Sequence, residues 1–166
     1  DLIDNINDQM DARPGDLELL DPKHSTRSGH KPYIYKGENL GEEFASAMQY
    51  AKDYIEENST AKCCIAFAGF SYLEISTFAK KLKLKVLYAH SEEVLSEALV
   101  LSDLEQTKGY EFDLMIIVNC SKGSFPPDHI EEEEKFRYGS QLYVAMTRAK
   151  EDLIISFSGE KSGWLN

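Results

Sequence analysis

The chain has 166 residues, of which 42% are hydrophobic and 28% are charged, so it can bury one substantial core and we expect a single domain. No stretch approaches the roughly 18 consecutive apolar residues of a membrane helix, and the sequence starts without the basic and apolar regions of a signal peptide, which predicts a soluble, cytoplasmic protein. Because Lys and Arg dominate the affinity for phosphates, the formal net charge of −11 argues against a free-standing nucleic-acid binder.

The first predicted element is a short helix at residues 2–10, where apolar residues recur at helical spacing. Residues 16–31 are polar and rich in turn formers, and they predict a surface loop. The next segment, 31–36, is aromatic and β-branched and predicts a strand, placed at a sheet edge because Pro32 has no amide hydrogen to donate.

These elements suggest how the single domain is organised. We expect an opening helix and loop over residues 1–30 and a folded core over residues 31–158, all within one domain of 1–166. The chain starts at Asp1 and not at Met, so we also expect it to be a piece of a longer protein.

A longer helix is predicted over about 41–57, because apolar residues share one face and acidic residues lie largely elsewhere; the apolar set is Phe44, Met48, Ala51 and Ile55, and the acidic set is Glu42, Glu43, Asp53 and Glu56. Further along, helical segments alternate with short apolar runs, which lie at 63–68, 85–89, 98–101, 114–118 and 153–157, with a helix at 72–82. This alternation predicts an α/β fold class with a mainly parallel sheet that is buried on both faces.

Two further patterns concern local structure. The segment Asp128-His129-Ile130-Glu131 fits a capping box, in which Asp128 would accept from first-turn amides and Glu131 would reach back, and it predicts a helix start. The cysteines show no C-x-x-C spacing and are predicted to be buried thiols; they are Cys63, Cys64 and Cys120. The histidines are scattered, and no Ser/His/Asp or metal-ligand spacing supports a free-standing small-molecule enzyme.

The connection at residues 102–113 carries the first candidate site. It follows one apolar run and precedes another, so Gln106-Thr107-Lys108-Gly109 lies at a strand end, where α/β sheets usually place ligand-binding groups. Gly109 permits close approach of its backbone to a ligand, and Lys108 can offer a positive charge to a phosphate. On these residues alone, an ordinary polar turn explains the pattern as well.

Two longer strings add a family resemblance. Thr107-Lys108-Gly109-Tyr110-Glu111-Phe112-Asp113 resembles motif V of UvrD/Rep-type superfamily 1 DNA helicases, and Leu142-Tyr143-Val144-Ala145-Met146-Thr147-Arg148-Ala149-Lys150 resembles motif VI. The two strings occur in the family's order, and each precedes a strand. With the acidic helix start at 39–43 and the run at 64–67, the resemblance covers most of residues 1–158. It implies the second, C-terminal RecA-like lobe of such a helicase, a P-loop NTPase-type three-layer sandwich.

The resemblance also implies residue roles. Arg148 is similar to the family's arginine finger, which stabilises charge on the transferring γ-phosphoryl group. Glu111 would bind the nucleotide ribose, and the nucleotide-facing set would also include Gly109, Lys108, Thr147 and Tyr143. The residues facing DNA would be Gln106, Thr107 and Lys108. Without the family, Arg148 could simply complement the negative end of a helix on which Leu142, Ala145 and Ala149 share a packing face.

The implied cofactor is ATP with Mg²⁺, and the implied partners are single-stranded DNA and an N-terminal RecA-like lobe of the same protein. No G-x-x-x-x-G-K-[ST] sequence occurs, so the phosphate cradle and the Mg²⁺ ligands would lie on that other lobe. We therefore expect an ATP-dependent DNA helicase as the full-length protein, no metal ligands on this chain, and no ATP hydrolysis by this chain alone.

Several departures from the family pattern stand out. Ala68-Gly69-Phe70-Ser71 follows a strand where many relatives carry an arginine, and the motif IV arginine would precede residue 1. Asp103 and Glu105 replace the threonine and histidine of T-x-H-x-x-K-G, and these acids would repel phosphate. Residues 71–102 are too few for the large accessory subdomain of UvrD and Rep. These acidic departures leave a non-catalytic RecA-like protein-interaction module as the alternative.

Overall fold

The computed structural model of the protein describes Leu2 and residues 30–88 and 91–166. Within these ranges the chain forms six strands, which are β1 (Tyr33–Gly37), β2 (Cys63–Phe67), β3 (Lys85–Val86), β4 (Leu99–Asp103), β5 (Phe112–Val118) and β6 (Ala149–Ser158). The strands form one sheet in the order β1-β6-β5-β2-β4-β3, and every neighbouring pair is parallel. The predicted edge strand is confirmed, because β1 lies at one end of this order.

Helices cover both faces of the sheet. The α-helices of the described residues are α1 (Leu40–Glu57), α2 (Tyr72–Leu82) and α3 (Glu132–Met146), and short 3-10 turns occur at Glu92–Ser96, Glu105–Thr107 and Gly163–Leu165. Buried residues of α1 and α2 belong to one apolar cluster and those of α3 to another, one on each side of the strands. The predicted α/β sandwich with a mainly parallel sheet is therefore confirmed.

The central strands explain why both faces are covered. All five residues of β2 are buried, and Cys63, Ile65 and Phe67 pack with α1 and α2 while Cys64 and Ala66 pack towards α3. Side chains of a strand alternate between faces, so a continuously apolar strand needs a helix layer on each side. The apolar run at 63–68 therefore indicates a strand with a helix layer on each face.

Helix starts are set by local hydrogen bonds. Asn39 caps α1, because its side chain accepts from the Glu42 amide at 3.0 Å. Ser71 and Glu74 form a reciprocal capping box at α2. The capping box predicted at Asp128 is wrong: α3 begins at Glu132, and its N-cap residue, Glu131, makes no side-chain capping hydrogen bond.

The assignment of Glu43 to the polar side of its helix is also wrong. Its side chain is 1% exposed, and Oε2 accepts hydrogen bonds from the Asn119 amide at 2.9 Å and the Ser156 hydroxyl at 2.6 Å. Gly37, at the end of β1, makes this approach possible, because a Cβ there would lie 2.7 Å from Cγ of Glu43. The first turn of α1 therefore reaches the carboxyl ends of β5 and β6 through a buried carboxyl group.

Other boundaries differ in smaller ways. Helix α3 ends at Met146, so Ala149 is the first residue of β6 and does not share the packing face of the helix. The predicted strand at 85–89 is reduced to two residues in β3. The opening helix beyond Leu2 and the loop at 16–29 lie outside the described residues. No helix of the described part of the chain is long and apolar enough to cross a membrane.

Candidate functional site at the amino ends of β5 and β6

Arg148 lies in the short turn between α3 and β6. Its amide donates to the carbonyl of Ala145 at 3.1 Å, and its own carbonyl accepts from the Phe112 amide at 2.9 Å. The residue is thus held by the helix on one side and by strand β5 on the other. Both of these bonds are made by the backbone of Arg148, so its side chain can bond other partners.

The guanidinium of Arg148 is folded back onto the end of α3. Nε donates to the carbonyl of Val144 at 3.2 Å, and one terminal nitrogen donates to Oγ1 of Thr147 at 3.1 Å. Both acceptors are neutral, and no carboxylate of the described residues forms an ion pair with Arg148. A guanidinium has five N–H donors, so most of its hydrogen-bonding capacity and all of its charge remain available to an anion.

The connection that contains motif V runs from the side of the sheet where the strands end to the side where they begin. It leaves the carboxyl end of β4 at Asp103, makes the 3-10 turn at Glu105–Thr107, and enters β5 at its amino end, beside α3. The candidate residues Gly109 and Glu111 therefore lie at the amino edge. This is the edge opposite to the one at which open α/β sheets usually bind ligands.

Internal hydrogen bonds fix the shape of this connection. The Asp103 side chain accepts from the Gln106 amide at 2.7 Å, and burial raises the pKa of Asp103. Thr107 is fully buried, and its hydroxyl donates to the carbonyl of Leu104 at 2.7 Å. Asp103 and Thr107 thus act on the loop itself, and in this conformation neither side chain is presented to a surface ligand.

Beyond Thr107 the chain becomes exposed. Lys108 and Glu111 are exposed, and Gly109 has a φ of +90° with no atom within 4 Å of the position that a Cβ would occupy. A positive φ favours glycine, and the open space above it lets a ligand approach the backbone closely. Of the predicted ligand-facing residues in this connection, Lys108, Gly109 and Glu111 are therefore accessible, whereas Thr107 is not.

The two motif strings meet directly. Phe112 of β5 pairs with Ala149 of β6, and the Phe112 amide is bonded to the Arg148 carbonyl. Phe112 and Ala149 are the first residues of β5 and β6. Glu111 and Arg148 directly precede them, so these two candidates lie at the amino ends of adjacent strands. Thr147 lies beside Arg148 as the C-cap residue of α3.

The profile of the UvrD-like helicase C-terminal domain family matches residues 16–160, which is most of the chain and includes both motif strings. The chain belongs to the UvrD-like helicase C-terminal domain family. A search of curated proteins finds no significant match.

Two solved structures are similar to this UvrD-like lobe to different degrees. The C-terminal domain of a possible DNA helicase from Lactobacillus plantarum WCFS1 is similar with a TM-score of 0.63 at 20% identity, over 99% of this chain and 88% of that chain. The flagellar accessory protein FlaH from Methanocaldococcus jannaschii gives a TM-score of 0.41 at 14% identity, over 76% of this chain and 60% of that one. The first likeness shows that the predicted RecA-like fold is correct.

The two remaining candidate residues of the UvrD-like lobe are less exposed than Lys108, Gly109 and Glu111. Gln106 lies in the 3-10 turn and Tyr143 in the last turns of α3, and both side chains are partly buried. A cavity of about 300 Å³ lies elsewhere, beside the loop that precedes α3, and its lining includes Lys122, His129 and Lys135 but none of the candidate residues. The candidate site is an open edge and not an enclosed pocket.

An ion pair and a hydrogen bond that the sequence analysis did not predict connect residues at the same amino ends of the strands. Lys150 Nζ lies 2.7 Å from Oδ1 of Asp113, and the other carboxylate oxygen of Asp113 accepts from the Lys62 amide at 2.7 Å. Burial raises the pKa of Asp113, but its bonds with Lys150 and Lys62 outweigh that effect and hold the pKa below its usual range. Both residues stand inside the motif strings, as the last residue of each.

The three cysteines of the chain are all free thiols. Cys63, Cys64 and Cys120 are buried, as predicted, and burial raises the pKa of the Cys63 thiol to about 12. Where the structure describes the chain, no group of three or more His, Cys, Asp or Glu residues could hold a metal ion.

Proposed function

We propose that this domain is the ATP-coupling lobe of an ATP-dependent DNA helicase or translocase. In this proposal it contributes one side of an ATP site, and a Walker-containing lobe of the same protein contributes the other. Two observations support a shared site. The sequence has no phosphate-cradling G-x-x-x-x-G-K-[ST] string, and most of the nucleotide-facing candidates are exposed, namely Lys108, Gly109, Glu111 and Thr147. An edge of this kind needs a second surface to exclude water from a reaction.

The observation that carries the proposal is the hydrogen bond from the Phe112 amide to the Arg148 carbonyl at 2.9 Å. It joins the two motif strings and places Glu111 and Arg148 side by side at the amino ends of adjacent strands. One nucleotide could then contact a carboxylate at its ribose and a guanidinium at its phosphates. Neither residue could do this if the strings lay on separate surfaces.

The chemistry of Arg148 suits a role as arginine finger. Its guanidinium bonds two neutral oxygens in the free lobe, on Val144 and Thr147. Exchanging them for phosphate oxygens replaces hydrogen bonds in which only the donor is charged with ion-pair hydrogen bonds in which both partners are charged. The side chain therefore gains most when an anion arrives, and it stabilises the charge that develops on the transferred phosphoryl group.

The other candidates would bind and orient. Glu111 would accept a hydrogen bond from a ribose hydroxyl, and the exposed backbone at Gly109 would let the nucleotide approach. Lys108, Thr147 and Tyr143 would complete the nucleotide-facing surface. ATP supplies the phosphoryl group with Mg²⁺ as counter-ion, and we assign the Mg²⁺ ligands to the other lobe.

Single-stranded DNA is the proposed second ligand. Lys108 is exposed and Gln106 is partly so, and these two would make the side-chain contacts, while Thr107 would act by holding the turn in place. The net charge of −11 makes this lobe a weak DNA binder by itself, so most of the phosphate contacts would come from the rest of the protein.

The test is the DNA-stimulated ATPase activity of the full-length protein with Arg148→Ala. Loss of an arginine finger lowers turnover by roughly 10³-fold or more, whereas nucleotide binding should change little. Arg137→Ala is the matched control, because Arg137 is an exposed arginine in the first half of α3. Unchanged turnover in Arg148→Ala would remove the catalytic role, and a full-length protein without a Walker-type lobe would favour a non-catalytic interaction module.

A further inference from the structure

The strand pairing is irregular immediately after Arg148. Phe112 pairs with Ala149, but Leu114 pairs with Asp152, so one residue of β5 lies opposite two residues of β6. Such a bulge interrupts the ladder of backbone hydrogen bonds and bends the strand that carries the extra residue. Backbone hydrogen bonds alone therefore fix the register of β5 against β6 poorly at this point, which is where both motif strings end.

A pair of charged side chains spans this bulge. Asp113 is the single β5 residue opposite the bulge, and Lys150 is one of the two on β6; their charged atoms lie 2.7 Å apart. Asp113 also bonds Lys62 twice, because its side chain accepts from the Lys62 amide at 2.7 Å and its amide donates to the Lys62 carbonyl at 2.8 Å. One carboxylate thus connects β5 with β6 and with the residue that precedes β2.

The connection continues along the edge. The Lys62 ammonium group donates to the carbonyls of Ser96 and Glu97, each at 3.2 Å, in the segment that leads into β4. The amino ends of β6, β5 and β2 and the segment before β4 are therefore linked in one chain of polar contacts. Arg148 and Glu111 lie at the β6 and β5 end of this chain.

Burial makes the Asp113–Lys150 pair different from an ordinary surface pair. The exposed fractions of the Lys150 and Asp113 side chains are 34% and 23%, whereas those of Lys122 and Glu160, which pair at 2.6 Å beyond the opposite edge, are 67% and 74%. Exposed pairs hold their partners weakly, while removing one member of a more buried pair leaves a charge without its partner. Lys122 and Glu160 therefore provide an internal control for the effect of losing an ion pair.

We propose that Asp113 and Lys150 are positioning residues that hold Glu111 and Arg148 in register across the bulge, so that both face the same nucleotide. This inference rests on the proposed function for its catalytic consequence, but not for the register itself. A pair that served only general stability would leave the position of Arg148 unchanged when it was broken.

The test uses Lys150→Met and Asp113→Asn, with Lys150→Arg as the variant that keeps the charge and Lys122→Met as the control. In the chain itself, NMR measures the Nε–Hε resonance of Arg148 and the hydrogen exchange of the Phe112 amide. We expect both bond-breaking variants to shift the resonance and to speed exchange on the order of tenfold, Lys150→Arg to reverse most of the change, and Lys122→Met to have no effect.

The catalytic consequence is measured separately. In the full-length protein, Lys150→Met should lower kcat by about tenfold or more, with a smaller change in KM. Lys150 lies on the strand that follows Arg148, which would contact the transition state, and not on the strand that follows Glu111, which would contact the bound nucleotide. The positioning role would be overturned if the Phe112 amide hydrogen exchanged no faster in Lys150→Met and Asp113→Asn than in Lys122→Met. The NMR measurements do not depend on turnover, so they decide this question even if Arg148→Ala leaves ATPase activity unchanged and the proposed function fails.

Discussion

Replacing Glu43 by alanine should be among the most destabilising single changes in the domain. The substitution removes the common acceptor of two buried donors, the Asn119 amide and the Ser156 hydroxyl. A buried donor without a partner costs about 1–3 kcal/mol, so the two together should lower the free energy of unfolding by about 4 kcal/mol. Glu43→Gln keeps one oxygen in place, and it should cost about half as much or less.

Urea denaturation followed by tryptophan fluorescence measures this effect, because Trp164 is the single tryptophan and is 1% exposed. With a slope of about 2 kcal/mol per molar urea, the midpoint of Glu43→Ala should fall by about 2 M. Glu56→Ala is the matched control on the exposed side of the same helix. A loss in Glu43→Ala that does not exceed the loss in Glu56→Ala would refute the assignment of Glu43 as the acceptor that fixes α1 to the sheet.

Three further predictions follow from local features. The pKa of His30 is raised above 6.5, chiefly by its hydrogen bond with Asp152. The stabilisation from this exposed pair is therefore complete below pH 6.5 and is lost as the pH rises through the raised pKa. An NMR titration of His30 with a midpoint at or below 6.5 would contradict this prediction. Gly109→Ala should lower the free energy of unfolding by about 1–2 kcal/mol, because only the positive φ and no steric contact opposes the side chain, and urea denaturation with no change would count against this. A disulfide reagent at pH 8 should label none of the three cysteines in the native state and all three in urea, since each thiol is buried; rapid labelling of the native chain would be the contrary result.

The sequence predicts the fold well where the pattern is local and strong. The apolar runs that became β2, β4, β5 and β6 are too continuous for a half-exposed strand, so they indicate a sheet with helices on both faces. The helix start predicted at 39–43 likewise depends on a local contact, because the Asn39 side chain bonds an amide only three residues away. Such signals need no knowledge of distant parts of the chain.

Two of the errors arose where distant residues decide the outcome. Helical periodicity counts Glu43 as polar and exposed, but its partners Asn119 and Ser156 lie 76 and 113 residues away in the sequence. Ala149 continues the helical spacing of its neighbours, yet pairing with Phe112 on β5 places it in a strand. In each case a tertiary contact outweighs a local preference.

The residues of the candidate site stay a prediction from the motif strings, and their arrangement comes from the structure. The motif strings contain Gly109, Glu111 and Arg148, and the structure places all three at one edge of the sheet. What the strings could not indicate is that this edge lies at the amino ends of the strands, or that Asp113 and Lys150 connect the two motifs across a bulge. Both features depend on strand order and register, which no single segment encodes.

The most direct test of the proposed shared site is a crystal structure of the two-lobe protein with single-stranded DNA and a non-hydrolysable ATP analogue. The distance to measure joins the Arg148 guanidinium and the nearest γ-phosphate oxygen. We predict a hydrogen bond of about 3 Å, with the bonds to Val144 and Thr147 broken and Glu111 at the ribose. A closed complex in which Arg148 still bonds those two residues, far from the phosphates, would contradict the assignment.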